Sequence, residues 1–319
     1  MHDVARLAGV STASVSRVLS GRRRVTEDVA ERVRDAAEHL GYEVNTVGRS
    51  LRLQSTETVG LVVADITNPF FPSLTKAIED ELARHGLGLL LADAANDVAR
   101  ERDAVARLLA RRVDALLVTP VSRSKSRRTI AEASERTTVV QLDRHASAKA
   151  HYVGMDNGRA ISDVLDHLAA HSRTRPAFIG SDPEISTTWE RQRAFTRLAP
   201  RGDRVLVGDF SLDWGRTATV EALRRWPATD ALVCADDLIA VGVAEQLRAM
   251  GHAMPGRVAV VGFDDTMLVH LQTPPVSSIR QPLTEMAAAA VELAAGHEQV
   301  PIRRLLFPGV LQVRPSTAP

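Results

Sequence analysis

The stretch MHDVARLAGVSTASVSRVLS, residues 1–20, reads as two short helices joined by a tight Gly9-Val10-Ser11 turn. Val4, Ala5, Ala8, Val10, Val15, Val18 and Leu19 fall where they can close into one small core. Thr12, Ala13, Ser16 and Arg17 are then left on the outer face of the second helix. Small side chains let a helix approach a groove, and hydroxyls with an arginine can contact its edges, so this face suits a helix-turn-helix that reads DNA. An ordinary helical hairpin has the same spacing, and these residues alone leave both readings open.

The flanking sequence favours the first. Ser20-Gly21-Arg22-Arg23-Arg24 is a basic loop. Thr26 is then placed as an N-cap, with Glu27 and Asp28 in the first turn, where the helix dipole favours acids. Val29, Val33, Ala36, Ala37 and Leu40 continue at helical spacing, and Gly41 is placed as a C-cap. Residues 1–24 carry a net charge of +4, whereas residues 1–54 carry only +2. The positive charge is thus gathered around the turn and loop, where it suits phosphate contacts that position a protein on DNA without reading sequence.

The whole chain has 319 residues, a net charge of +1 and 45% hydrophobic content, which describes a globular protein of more than one domain. With so little net charge, any DNA affinity must come from the N-terminal segment. No apolar run approaches the length of about 20 residues that a membrane span needs, and Met1-His2-Asp3 opens no apolar signal region. The expected location is the cytoplasm, at the nucleoid. A single cysteine, Cys234, excludes an internal disulfide framework, and its apolar setting ALVCAD reads as a buried, inert thiol.

After residue 56 the pattern becomes strand–helix alternation: TVGLVVA (58–64), a helix to about His85, LGLLLAD, helix 97–112, DALLVTP, helix 126–136 and TTVVQLD. It restarts at HYVGMD and runs through helix 157–170, PAFIG, helix 187–198, DRVLVGD, helix 214–226, DALVCAD, helix 237–250 and RVAVVGFD. Such alternation signals parallel sheets covered by helices. Ten or so strands exceed one small sheet, so we expect two doubly wound subdomains, with residues 144–150 crossing between them and residues 276–319 returning to complete both. Asp65, Asp93, Asp143, Asp156, Asp182, Asp209, Asp236 and Asp264 recur where strands end. Ligands of open α/β sheets bind outside those ends, and carboxylates there suit hydroxyl-rich ligands. Each is also a candidate cap for the helix that follows, Asp156-Asn157 being the best example.

Taken together, DVARLAGVSTASVSRVLSG, LGY, Asn45 and NTVGRSLR resemble the lactose-repressor (LacI/GalR) family of bacterial transcription regulators. The resemblance continues through GLVVADITNPFF (60–71), ERQRAF (190–195), GDFSLDWG (208–215), CADDLIAVG (234–242), VAVVGFDD (258–265), TPPVSSIRQP (273–282) and RPSTAP (314–319). It implies an all-α helix-turn-helix head joined to an α/β, periplasmic-binding-protein-like core of two doubly wound subdomains, between which the chain crosses three times. The corresponding boundaries are 1–44 for the head, 45–55 for a hinge helix and linker, and 56–319 for the core. Within the core, one subdomain takes about 56–147 with part of 276–319, and the other about 148–275 with the C-terminal remainder.

The resemblance also carries residue roles. Thr12, Ala13 and Arg17 match major-groove positions, and Ser11, Ser14 and Ser16 stand where phosphate contacts are expected. Arg17 has the donors to read guanine O6 and N7, and Ala13 offers an apolar contact to a thymine methyl. Asn45 to Arg52 match the hinge helix, which in the family folds on operator DNA, and Leu51 matches a leucine wedged into the minor groove. Phe70, Phe71, Asp143, Arg191, Phe210, Asp236 and Asp264 match positions that line an effector cleft. Aromatics there would pack on an apolar ligand face, aspartates accept from hydroxyls, and Arg191 donates a planar fork. Phe70 and Phe71 also read as ordinary core residues and Arg191 as a surface ion-pair residue, while Trp189 and Trp214 read as structural or as bordering the cleft.

Several positions depart from the family pattern. Met1-His2-Asp3 leaves almost no residues before the first helix, Val29-Ala30 replaces a common Thr-Arg, Val44 replaces the usual Pro before Asn45, and Ser172-Arg173 stands where Gly-His is usual. Asp236-Asp237 replaces Asn-Asp, which turns a group that donates and accepts into one that only accepts when ionised. That substitution fits a ligand rich in donors or positively charged, and equally a loss of effector binding.

Enzyme motifs are missing: there is no phosphate loop, nucleophile elbow, dinucleotide fingerprint or paired-cysteine metal site. His167 and His171 share a helix face without a metal motif around them. The sequence therefore implies a regulator with no catalytic residues, metal or cofactor. Its expected partners are double-stranded operator DNA, a small-molecule effector of sugar type and a second copy in a homodimer, with no membrane. The reading of a different class is a solute-binding protein or carbohydrate-processing enzyme of similar fold.

Overall fold

A computed structural model describes residues 1–20, 25–42, 55–296 and 301–318. The chain divides into two compact units, Met1–Thr56 and Glu57–Pro319. In the first, α1 (His2–Ala8) ends at Gly9, whose φ of 64° is a left-handed conformation that glycine adopts without a Cβ penalty. α2 (Thr12–Ser20) and α3 (Glu27–His39) follow. Val4, Ala5, Ala8 and Val15 close against Val33, Ala36 and Ala37, with Val10, Val18 and Leu19 partly buried beside them. Leu40 does not join this core: it is 44% exposed. α3 stops at His39, and the left-handed Gly41 turns the chain so that Tyr42 donates its N–H to the Ala37 carbonyl and packs in Leu40's stead. Thr26 stands at the N-cap of α3, but its side chain makes no capping hydrogen bond.

The second unit alternates as the sequence pattern requires. β1 (Thr58–Val63), α4 (Phe70–Arg84), β2 (Gly88–Asp93), α5 (Val98–Ala110), β3 (Ala115–Val118), α6 (Arg127–Ser134), β4 (Thr138–Leu142) and β5 (His151–Met155) come first. Then follow α7 (Asn157–Ala170), β6 (Pro176–Ser181), α8 (Ser186–Leu198), β7 (Val205–Gly208), α9 (Leu212–Arg225), β8 (Ala231–Cys234), α10 (Asp237–Ala249) and β9 (Ala259–Asp264). The chain closes with α11 (Met267–His270), β10 (Ser277–Arg280), α12 (Leu283–Ala295), β11 (Arg304–Phe307) and β12 (Val310–Gln312).

These strands form two six-stranded sheets, ordered β11-β5-β4-β3-β1-β2 and β12-β10-β9-β8-β6-β7. The pairs are parallel except β10–β12. Helices cover both faces, so the central strands are apolar throughout: all residues of β3 and of β8 are buried. Each sheet has its own core, one centred on Leu61, Leu116 and Leu142, the other on Phe178, Val233 and Phe263.

The crossing expected at 144–150 lies elsewhere. β5 pairs in parallel with β4, so both strands belong to the first sheet. A parallel pair ordinarily needs a longer connection, commonly a helix. Here the Gln141 amide replaces it: Oε1 accepts from the N–H groups of Ala146 and Ser147, and Nε2 donates to the Ser147 carbonyl at 2.7 Å. The chain instead passes between sheets at three places: after Met155, at Gln281-Pro282, and at Pro308-Gly309.

Two glycines set the approach of α9 to α10. A Cβ on Gly215 would lie 2.3 Å from the Ile239 carbonyl oxygen, and one on Gly242 would lie 2.1 Å from that of Leu212. The backbones therefore touch, and the N-terminus of α10 is held close to the Phe210-Ser211 turn.

Candidate functional site

The C-terminal ends of β4, β8 and β9 face one cleft between the two sheets and bring three carboxylates together. Asp143 follows β4, Asp236 caps α10 after β8, and Asp264 ends β9. All three are buried or nearly so. Gln281, at the second crossing, joins two of them: Nε2 donates to Asp264 Oδ1 at 2.7 Å and to Asp143 Oδ1 at 3.4 Å. Asp143 and Asp264 hold positive φ values of 58° and 104°. Such backbone strain persists where the surroundings over-determine it, and it commonly marks a ligand site.

Two arginines lie among these acids. Arg191 of α8 is buried, donates from Nε to Asn157 Oδ1 at 2.7 Å and from Nη1 to the Ala235 carbonyl at 2.5 Å, and has Nη2 3.9 Å from Asp264 Oδ1. Its guanidinium also lies 4.4 Å from the Phe263 ring centroid. Arg191 is thus an interior residue rather than a surface ion-pair partner. Arg144 is buried beside Asp143, with Nε 3.8 Å from Asp143 Oδ2. Its guanidinium lies 5.2 Å from the centroid of Phe71 and 5.7 Å from that of Phe210, so it meets an aromatic ring from each subdomain.

Burial and mutual repulsion govern the titration of the acids. Desolvation, opposed by Arg144 and Arg191, pushes Asp143 up to about 6. Desolvation and the Asp264 charge push Asp236 up to about 7. Asp264 is raised by burial despite Arg191 and its bond from Gln281. Asp237 has a different task. Its oxygens accept from Ser278 Oγ at 2.7 Å and the Thr266 N–H at 2.6 Å, tying α10 to β10 and the β9–α11 turn. A Cβ on Gly262 would lie 2.3 Å from Asp237 Oδ1, so glycine is required there for the tie to form.

Phe70 and Phe71 pack edge-to-face at 5.1 Å and belong to the first core, while each also faces the cleft region: Phe71 meets Arg144, and Phe70 borders a cavity. That cavity, of about 430 Å³, also reaches Asp264, Gln281 and Pro282. A second, also of about 430 Å³, is lined by Asn96, Val121, Ser122, Glu184 and Phe210. Its rim is clasped across the subdomains: Glu184 accepts from the Ser122 hydroxyl at 2.7 Å and from the Ser124 hydroxyl, and its carbonyl accepts the Arg123 N–H at 2.7 Å. Arg123 then lies over the Trp189 ring at 4.4 Å, and Trp214 donates Nε1–H to the Gly180 carbonyl, a packing role. His167 and His171 stack on each other and bond to Thr317 and to backbone. Cys234 is buried, and its thiol is pushed up by burial and by Asp236 and Asp237.

In the N-terminal unit, Ser11, Ala13 and Arg17 are exposed, Thr12, Ser14 and Ser16 are half-buried, and Val15 is core. Ser11 Oγ accepts the Ser14 N–H at 3.1 Å and so caps α2, while Arg17 Nε–H donates to the Ala13 carbonyl at 3.1 Å. The expectations for Asn45, Leu51 and the hinge helix, and for the basic loop 22–24, fall outside the described residues.

All seven residues expected in the cleft therefore come to the junction of the two sheets. Sequence reading missed Asn68, Arg144, Asn157, Glu190 and Gln281, which complete the network. Glu190, which burial alone would raise, is held below the usual carboxylate range by bonds from His145 and Asn157. The available signal was proximity: Asn68, Glu190 and Gln281 lie inside GLVVADITNPFF, ERQRAF and TPPVSSIRQP, and Arg144 directly follows TTVVQLD.

Comparison with known proteins adds a second line. Residues 1–45 match the profile described as "Bacterial regulatory proteins, lacI family", and residues 165–317 match "Periplasmic binding protein-like domain". The chain is 33% identical to the HTH-type transcriptional regulator GalR of Salmonella typhimurium (strain LT2), over 92% of this chain and 88% of that protein. It is 30% identical to the ribose operon repressor of Escherichia coli (strain K12), over 100% and 97% respectively. Among solved structures, the transcriptional regulator CelR–cellobiose complex superposes with a TM-score of 0.73 at 28% identity, covering 98% of each chain. The lac repressor dimer bound to operator and anti-inducer superposes at 0.84 with 22% identity, covering 99% and 98%, a likeness of fold.

Proposed function

The chain belongs to the lacI family of bacterial regulatory proteins, and on that footing we propose that it is a homodimeric repressor released from its operator by a sugar-type effector. Residues 1–44 form the DNA-reading head, 45–55 the hinge helix and linker, and 56–319 the effector-binding and dimerising core. A two-fold dimer presents two heads to a pseudo-palindromic operator. Thr12, Ala13 and Arg17 read bases, Ser11, Ser14 and Ser16 contact phosphates, and Asn45 and Leu51 act at the centre of the site. Ser11 serves this role through the helix end that it caps.

Asp143, Asp236 and Asp264 accept hydroxyl donors, Arg191 holds its neighbours in place and donates to the ligand, and Phe70, Phe71 and Phe210 take its apolar face. Effector binding changes the relation of the two sheets through the three crossings, and this shifts operator affinity by a coupling of about 1–3 kcal/mol. The protein acts in the cytoplasm, on nucleoid DNA.

One observation carries this reading: residues 1–45 match the family head, and the two sheets that follow meet at a junction of acids, arginines and aromatics, in a chain similar over most of its length to GalR and to a ribose operon repressor. Titration of operator-bound protein with sugars tests it. Release by one sugar at a fixed salt concentration supports it. Operator binding that no sugar alters contradicts the effector assignment, and enzymatic turnover of a sugar favours the carbohydrate-enzyme reading.

A further inference from the structure

Arg144 carries an unmet demand. A guanidinium stays charged in proteins, and burying one is costly unless it is paired and hydrogen-bonded. Arg144 is 4% exposed, and its Nε and Nη1 are fully buried without a hydrogen-bond partner among the described residues. Its carboxylate neighbour Asp143 is 3.8 Å away, beyond hydrogen-bond reach. Arg191, by contrast, has Nε and Nη1 engaged by Asn157 and the Ala235 carbonyl. Gln281 Oε1 in the same cluster is also buried without a partner, so an unfilled acceptor accompanies the unfilled donors.

We infer that the effector of this chain is a polyhydroxy acid, a sugar bearing one carboxylate, whose anionic oxygens take the free N–H groups of Arg144 while its hydroxyls donate to the aspartates and to Gln281. This inference rests on reading the junction of the two sheets as the effector site. The rings of Phe71 and Phe210, on either subdomain, flank the guanidinium, so a ligand held by Arg144 is sensed by both sheets at once. One anchoring arginine set among three carboxylates suits a monoanion. A phosphate dianion would meet the repulsion of Asp143, Asp236 and Asp264 with one unoccupied guanidinium to offset it.

Matched pairs test the inference with the full-length chain: galactose with galacturonate and galactonate, glucose with glucuronate and gluconate, and ribose with ribonate. Calorimetric affinity and operator release are measured for each. The expected result is that one acid binds at least about tenfold more tightly than its neutral partner, as charge-assisted hydrogen bonds of this kind predict. Arg144→Gln then loses that preference, the acid binding no more tightly than its neutral partner, and Arg144→Lys, which keeps the charge, retains part of it. Unchanged thermal melting of the variants separates lost recognition from lost folding, and if Arg144→Gln melts early the comparison rests on Arg144→Lys. Tighter binding of a neutral sugar than of every acid, or an acid preference that survives both substitutions, overturns the inference and leaves the sugar-effector reading intact. Binding of neither class removes both.

Discussion

Asn68, in the loop before α4, donates its side-chain amide to the Asp236 carboxylate at the head of α10, 3.2 Å away and across the two subdomains. The same carboxylate accepts the Ile239 N–H at 2.9 Å, so one side chain caps a helix and bridges the cleft. A motion that moves the loop before α4 away from the head of α10 breaks the first bond.

Asp236→Asn isolates the cost of the charge. Asp236 is pushed up to about 7 in the folded chain, above its unfolded value. The native state therefore binds more protons than the unfolded state between roughly pH 4 and 7, and stability falls as pH rises through that window. Asparagine keeps an acceptor for the cap, and its amide NH2 then faces Asn68, which must turn its own oxygen towards it. The variant should be more stable than wild type at pH 8, by an amount on the order of a few kcal/mol, with the gap closing towards pH 4. Thermal melts of both proteins across this range check it; equal melting temperatures at pH 8 would place the Asp236 charge in a better-solvated setting.

Arg191→Ala leaves the Asp264 carboxylate and Asn157 without their guanidinium partner. Breaking a buried ion pair on one side costs about 3–5 kcal/mol, so the variant should melt well below wild type. Where it stays folded it should answer the effector poorly. An effector response identical to wild type would take Arg191 out of ligand recognition and leave it a structural role.

Glu184→Ala removes the acceptor that clasps Ser122 and Ser124. Those two hydroxyls hold the Glu184 carboxyl below its ordinary range, so the clasp is present at neutral pH and is lost only in acid, as the carboxyl protonates. The substitution should speed ligand release several-fold, as expected of a half-exposed polar contact worth about 1 kcal/mol, and leave operator affinity without effector unchanged. Stopped-flow ligand exchange measures the first and a filter-binding titration the second.

Arg17→Ala should reduce specific more than non-specific DNA binding, because a base-reading arginine carries about 1–3 kcal/mol of discrimination. Leu51→Ala should reduce operator bending with specific affinity. A Leu51→Ala protein that bends and binds operator as wild type does would contradict the wedge assignment.

Periodicity made most of the architecture legible. The Val and Ala spacing of residues 4–37 and the strand–helix alternation after residue 56 each followed from burial of one face or of both. The β4–β5 connection was not legible, because a single residue, Gln141, satisfies that loop through its side chain and no local pattern announces this. Nor did periodicity sort the aspartates at strand ends. Asp156 caps α7 through the Arg159 N–H, Asp65 and Asp93 each accept from their own loop and from the other's, and Asp236 both caps and faces the cleft. Arg144, Gln281 and Asn68 lie in loops and crossings, where position depends on how two sheets meet rather than on neighbours in sequence.

Selection of bound duplexes from fragmented genomic DNA, with the purified full-length chain at a fixed salt concentration, tests the central claim most directly. The account predicts recovery of one pseudo-palindromic sequence beside genes of sugar or sugar-acid metabolism. Recovery of sequence-independent DNA alone, lost as salt is raised, or of no DNA by a folded protein, would contradict it.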